Sequence, residues 1–395
     1  MSLRVTSTFD SGNIDVLDAA EPTNVRLAVR WDAGDEHRQW FHFRVSGARG
    51  QGCVFRITNA GACSYPTAWS GYRAVVTADR RTWTRTATEF VNGELVIRDT
   101  PTEDVVWYSY FAPYSLERTE DFLAEVQRSP RTRVDRLGAT VQGRDLDRVT
   151  VGEAAPGRRT LWVIGRQHPG ESMASWWMEG FLRRLLDPND TASRLLLAHA
   201  VVHVVPHMNP DGSHLGHLRC NAAGANLNRE WATPSAARSP EVLLVRNEMD
   251  RTGVDFCLDV HGDEELPYVF LAGAEGIPGW TPRLAALDLA FRDAYERACP
   301  DVQREHGYPA DAPGQANLTM CTAQVSERFD ACAFTLEMPF KDNANDPDPE
   351  HGWSPIRCAR CGAAAVDALA EVVERLRDRG YSPASSASIT STTES

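Results

Sequence analysis

Three short apolar runs, at residues 160–165, 255–260 and 332–337, each lead to a side chain that can bind a metal or move a proton. No other feature restricts the fold of this chain as much. Buried parallel strands read as continuous apolar runs of this length, and open α/β sheets place their sites beyond the carboxyl ends of such strands. The first run leads into His168-Pro-Gly-Glu171, the second stops at His261, and the third, Cys-Ala-Phe-Thr-Leu-Glu, ends on Glu337. Two histidines and one carboxylate leave a fourth coordination position open, which is the catalytic rather than the structural arrangement of zinc. Taken singly, each piece has a plainer explanation. Glu171 with Ser172 would suit a capped helix start, and Glu337 would suit a strand-end carboxylate reaching solvent.

Between the first two runs lies His207-Met-Asn-Pro-Asp-Gly212, and then a stretch from His217 to Trp231 containing Arg219, Asn221, Asn226, Asn228 and Arg229. Asn-Pro-Asp-Gly reads as a turn, because Pro fixes φ, Asp folds onto its own backbone and Gly accepts positive φ. The residues after it read as a long irregular loop, a kind of segment that is usually functional. Arg219 and Arg229 suit an ordinary surface. Beside a zinc site, a guanidinium fork is also the natural receptor for a carboxylate or a developing oxyanion.

In order, the chain shows H-P-G-E at 168–171, N-P-D-G at 209–212, R-C-x-x-A-G-x-x-L-N-R-x-W at 219–231, a strand-end His261 and T-L-E at 335–337. This series resembles the M14 family of zinc carboxypeptidases, and within it the cytosolic carboxypeptidase subfamily. The aromatic stretch from Trp107 to Tyr114, followed by Asp121-Phe-Leu, is similar to that subfamily's junction between an N-terminal β domain and the peptidase domain. The resemblance implies one zinc per chain, held by His168, Glu171 and His261. It implies that Glu337 is the general base taking a proton from the attacking water and that Arg219 steadies the oxyanion. It further implies that Asn228 and Arg229 hold the substrate's terminal carboxylate. The chemistry agrees: zinc lowers the pKa of a water toward about 7, a carboxylate orients it, and an arginine stabilises charge on the carbonyl oxygen.

Two departures from the family pattern stand out. Many relatives have an aspartate two residues before the Asn-Arg pair, orienting a zinc histidine, where this chain has Asn226. An amide oxygen accepts the same N–H without the charge that strengthens the ligand, so zinc affinity is expected to be lower. The digestive members of the family also carry a mobile tyrosine upstream of the catalytic glutamate. No tyrosine occurs from Pro309 to Leu336, and Tyr308 is the nearest candidate for that role.

The expected substrate is a peptide or protein C-terminus. Subfamily analogy favours a C-terminal glutamate, with Arg328 in the segment before the catalytic strand as the cation that would receive its side chain. The alternatives are an aspartoacylase-like zinc amidohydrolase of N-acyl amino acids and a binding protein on the same fold. The N-terminal β domain and the arginine-asparagine loop count against the first, and the intact zinc and base residues count against the second.

The 41 basic and 54 acidic residues give a net charge of −13, which disfavours nucleic acid and anionic membrane surfaces as partners. The absence of an apolar leader in the first 20 residues and an odd count of nine cysteines point to the cytoplasm. Cys358-Ala-Arg-Cys361 starts a helical pattern with no second pair nearby, so it reads as structural thiols. The histidines from 199 to 217 fall in or beside a strand whose alternation divides them between faces, so they suggest no second metal site.

Alternating short runs over residues 1–114 suggest an all-β antiparallel sandwich domain. Strands alternating with helices over 115–382 give an α/β domain, a carboxypeptidase-like mixed sheet with helices on both faces. Residues 383–395 read as a disordered tail.

Overall fold

The computed structural model describes residues 3–376, so the tail expected at 383–395 lies outside the described residues. An eight-stranded mixed sheet organises the larger part of the molecule. Its centre is four parallel strands in the order Ala200–Val205, Arg159–Gly165, Phe256–Val260 and Cys332–Glu337. The last three contain the apolar runs singled out in the sequence. After Arg159–Gly165 the chain goes to one side to form Ala200–Val205, then crosses to the other to form Phe256–Val260. The order therefore reverses at Arg159–Gly165, the point beyond whose carboxyl end open α/β sheets place their ligands.

Alternate residues of these strands build two cores, one on each face. Leu161, Val163, Leu258, Phe334 and Leu336 pack with helices Met173–Leu185, Pro282–Ala298 and Pro355–Val372. Trp162, Ile164, Cys257 and Ala333 pack with helices Pro240–Thr252 and Cys321–Phe329. Helices Met173–Leu185 and Pro355–Val372 touch backbone to backbone through Gly180 and Gly362. A methyl group at Gly180 would lie 1.8 Å from Ala359 O, and one at Gly362 would lie 2.1 Å from Trp177 O. Cys358 and Cys361 are buried in the second of these helices, as structural thiols would be.

Two five-stranded sheets form the N-terminal unit around an aromatic core that includes Phe41, Phe43, Phe55, Trp69, Tyr108 and Tyr110. The expected antiparallel sandwich is present and includes one parallel pair, Val25–Ala28 with Cys53–Ile57. Between these two strands the chain crosses to the other sheet as His42–Ser46, so it re-enters in the same direction. The unit is fastened to the segment that follows Glu337. The buried Arg85 guanidinium donates to the carbonyls of Phe340, Lys341, His351 and Trp353 at 2.8–3.2 Å. Tyr110 stacks on Phe340 with ring centroids 4.4 Å apart.

Asn-Pro-Asp-Gly does not form the expected turn. It opens a helix, Pro210–Leu215, because Asn209 Oδ1 accepts the Gly212 N–H at 3.0 Å and Pro suits the first helical position. No helix of the described residues is long and apolar enough to cross a membrane.

Candidate active site

Strand register determines which side chains meet. Gly165 pairs with Val260 and Val260 with Leu336, so His261 and Glu337 emerge at one level on adjacent strands. The His261 N–H donates to Leu336 O at 2.8 Å. After Gly165 the backbone turns sharply through Arg166, at φ +62°, a left-handed conformation that costs a non-glycine residue about 1–3 kcal/mol. The buried Arg166 side chain holds the turn, donating to Pro169 O at 2.6 Å and to Ser175 Oγ at 2.9 Å. This turn swings His168 and Glu171 over the sheet edge toward His261.

His168 Nδ1 lies 2.6 Å from Glu171 Oε1, and His261 Nδ1 lies 2.8 Å from Glu171 Oε2. The two Nδ1 atoms are 3.2 Å apart, and all three residues are buried. The outer nitrogens are engaged elsewhere. His168 Nε2 is 3.0 Å from Asn226 Oδ1, and His261 Nε2 is 2.8 Å from Asp259 Oδ2. Asn226 holds the His168 ring with Nδ1 toward Glu171, and the Asp259 carboxylate, close to His261 Nε2 but outside hydrogen-bond geometry, holds the second ring by charge. Burial, reinforced by nearby Arg219, pushes His168 down to about 4, so its imidazole is neutral as a ligand must be. Burial also opposes charge on His261, but the Asp259 and Glu171 carboxylates more than offset it and raise its pKa well above normal. Ligand atoms within 4.8 Å of one another, in a two-imidazole, one-carboxylate set, fit a single zinc ion held by His168, Glu171 and His261.

Glu337 lies beside this set rather than reaching solvent. Its Oε2 is buried with no hydrogen-bond partner among the described residues, and Oε1 is 3.4 Å from the Tyr308 hydroxyl, which donates to Asp263. A buried carboxylate oxygen left unpaired marks a functional position more often than a structural one. Burial raises its pKa well above the usual carboxylate range; His261 works against this, while Glu171, Asp263 and Glu264 add to it.

Arg219 faces the same cluster. Burial disfavours its charge, but the neighbouring Tyr65, Glu264, Glu171 and Glu337 raise its pKa, and its guanidinium lies over the Tyr65 ring at 5.9 Å. Arg229 has Arg219, Tyr65 and Tyr308 as electrostatic neighbours, and its Nη1 donates to Asn228 O at 2.7 Å. Neither arginine has a carboxylate ion-pair partner among the described residues. Asn228 Oδ1 accepts the Cys321 N–H at 2.8 Å, which leaves its NH2 as the end available to a ligand.

Arg328 is not in the cleft. It lies in the last turn of helix Cys321–Phe329, where its Nε and Nη2 donate to Asp250 on the neighbouring helix at 2.6 and 2.8 Å. With 38% of its side chain exposed, it belongs to a surface ion pair, so the expectation that it receives a substrate side chain is overturned.

Several residues that shape the site were absent from the sequence reading. Asp259 anchors His261 and also accepts Gln167 Nε2 at 2.6 Å, while Gln167 Oε1 accepts the Trp231 indole N–H at 2.9 Å. This chain of contacts explains the tryptophan at the end of the 219–231 loop. The sequence signal for Asp259 was a carboxylate inside the apolar run, two residues before a ligand and therefore on the same side of the strand. The N-terminal unit contributes Tyr65 and Asp32. The buried Asp32 carboxylate accepts the N–H groups of Leu218, Arg219 and Cys220 at 2.7, 2.7 and 2.9 Å.

Asn226 is amenable to a direct test. An aspartate there would place a full charge on the His168 N–H, so Asn226→Asp is expected to tighten zinc binding by about tenfold. Competition with a chromophoric chelator measures this, and unchanged or weaker affinity would mean that the amide is already the better partner.

A His, Glu, His cluster at a parallel sheet edge, with a buried carboxylate and two arginines beside it, has the make-up of a metal-dependent hydrolase. Comparison with known proteins narrows the class. Residues 5–111 match the family model described as cytosolic carboxypeptidase N-terminal domain, and residues 119–270 match that of zinc carboxypeptidase. A metallo-carboxypeptidase from Pseudomonas aeruginosa, solved in complex with (2-guanidinoethylmercapto)succinic acid, is 46% identical. It aligns over 95% of this chain and 100% of its own, with a TM-score of 0.92. The metallo-carboxypeptidase from Burkholderia cenocepacia is also 46% identical, over 93% of this chain and 98% of its own, with a TM-score of 0.90. Cytosolic carboxypeptidase 6 of Caenorhabditis elegans is 27% identical over 68% of this chain and 64% of its own length. The chain belongs to the M14 zinc carboxypeptidases, in the cytosolic carboxypeptidase branch.

Proposed function

We propose that this protein removes the C-terminal residue of a peptide or protein, with zinc held by His168, Glu171 and His261. The observation that carries this reading is the convergence of that ligand set with Glu337 and two unpaired arginines in one cleft. Bound zinc supplies Lewis acidity, activating a water and polarising the scissile carbonyl. The remaining steps belong to side chains. Arg229 and the Asn228 NH2 hold the terminal carboxylate, which sets the last peptide bond as the one cleaved. Glu337 takes a proton from the attacking water and delivers it to the departing amine. Arg219 neutralises the charge that grows on the carbonyl oxygen. Tyr308, about half exposed beside Glu337, covers the bound residue.

An acidic leaving residue gains no support from Arg328. Arg219 and Arg229, the two arginines described beside the zinc ligands, are both assigned above to groups every peptide substrate carries. Side-chain preference is therefore read from a panel of peptides differing only in their last residue. The cytosolic name of the relatives and nine buried free cysteines support a cytoplasmic setting.

The division of labour between the arginines gives the test. Arg229→Ala is expected to raise KM about tenfold or more and to erase the preference for a free over an amidated C-terminus. Arg219→Ala is expected to act mainly on kcat, because its contact forms in the transition state. Equal activity of the parent enzyme on free and amidated peptides would overturn the carboxylate clamp.

A further inference from the structure

The loop that carries Arg219 meets the N-terminal unit at a seam built with little slack. Gly34 and Gly224, at φ +77° and +70°, approach so closely that a methyl on Gly224 would lie 2.4 Å from Gly34 O. Asp32 binds three consecutive N–H groups of the loop, and the Ala33 N–H donates to His217 Nε2 at 2.9 Å. This frame brings three chemically distinct ligand groups together. Asp35 Oδ2 contacts both His37 Nδ1 and Cys220 Sγ, and the three ligand atoms lie within 4.8 Å of one another. Cys220 is buried, whereas the side chains of Asp35 and His37 keep 24% and 31% of their exposure, so an ion can reach the cluster from solvent.

We propose that Asp35, His37 and Cys220 form a second divalent-cation site, with the donor chemistry of zinc, joining the N-terminal unit to the Arg219 loop. Sulfur, imidazole and carboxylate are all zinc ligands, and sulfur biases the set away from magnesium and calcium. Charge favours a cation as well. Asp32 and Asp35 flank the thiol, and their charges outweigh that of Arg219, whose guanidinium also lies over the Tyr65 ring near Glu171 and Glu337. Arg38, next to His37, is occupied on the Trp31 ring at 3.7 Å. Without a metal, burial and the Asp35 and Asp32 carboxylates keep the thiol protonated. On binding, the sulfur–metal bond forms as the thiol proton leaves to solvent, with no change of oxidation state. The site is independent of the catalytic reading, because His168, Glu171 and His261 include no sulfur.

Cobalt(II) separates the two sites. Metal-stripped full-length protein is titrated with cobalt, and the thiolate-to-cobalt charge-transfer band in the near ultraviolet is followed. The expected result is two equivalents bound, with the band growing with one of them. Cys220→Ser should abolish the band, and His37→Ala, a change at a partly exposed position, should weaken that equivalent at least tenfold. His261→Ala should remove the other equivalent and keep the band. A parent protein that saturates at one equivalent without the band, or a band that survives Cys220→Ser, overturns the proposal. Because His37→Ala leaves the buried thiol in place, it remains informative if Cys220→Ser fails to fold.

Discussion

Replacing Glu337 with glutamine is expected to leave zinc content unchanged and lower kcat by at least about a thousandfold, equivalent to about 4 kcal/mol of transition-state stabilisation. Glutamine keeps the shape of the side chain but removes the proton acceptor. The buried setting of Glu337 makes this test clean. Its Oε2 has no partner in the described structure and its Oε1 contacts only the Tyr308 hydroxyl, so the amide breaks no ion pair. Single-turnover rates, with zinc measured on the same preparation, provide the check. Activity within about tenfold of the parent would place the base elsewhere and return Glu337 to the role of a strand-end carboxylate.

His261→Ala is expected to remove the zinc equivalent held with His168 and Glu171 and, with it, all turnover. The loss reaches beyond one ligand. Asp259, fully buried in a central strand, would lose His261 and keep Gln167 as its hydrogen-bond donor, and leaving a buried charge short of a partner costs about 3–5 kcal/mol. A lower melting temperature should accompany the lost metal. Asp259→Asn, which keeps the acceptor and removes the charge, is expected to weaken zinc by about 10–100-fold with the fold intact. Metal analysis after zinc loading and dialysis distinguishes these outcomes. A zinc content in His261→Ala equal to that of the parent would mean that the catalytic ion sits on other residues.

The sequence was most informative where function sits at the end of an apolar run. His261 stands one residue beyond a fully buried strand and Glu337 is the last residue of another, so each run both predicted the strand and located its terminus. His168 and Glu171 were legible for the same reason. Arg328 failed because proximity in sequence to the catalytic strand says nothing about which side of an intervening helix a residue occupies. Helix Cys321–Phe329 turns its last residues toward Asp250 and away from the cleft. Asn-Pro-Asp-Gly misled because the same residues that make turns also start helices, and only tertiary contacts decide between them. One such contact is the buried Asp211, which accepts the Gln142 N–H and pairs with Arg144. Tyr65 and Asp32 were invisible because their partners are far away along the chain. The Asp32 contact to Arg219 spans 187 residues, and no local pattern encodes it.

That contact also bears on how enzymes of this architecture can be recombined. Asp32 belongs to the segment matching one family model, and the backbone it grips belongs to the segment matching the other. A hybrid that joins the front half of one relative to the back half of another would inherit the ligands His168, Glu171 and His261 and the base Glu337 from a single parent. The backbone support of Arg219 would come from both parents. Such hybrids should be sorted by whether position 32 and residues 218–220 were inherited together, which makes the seam a unit of compatibility rather than a boundary.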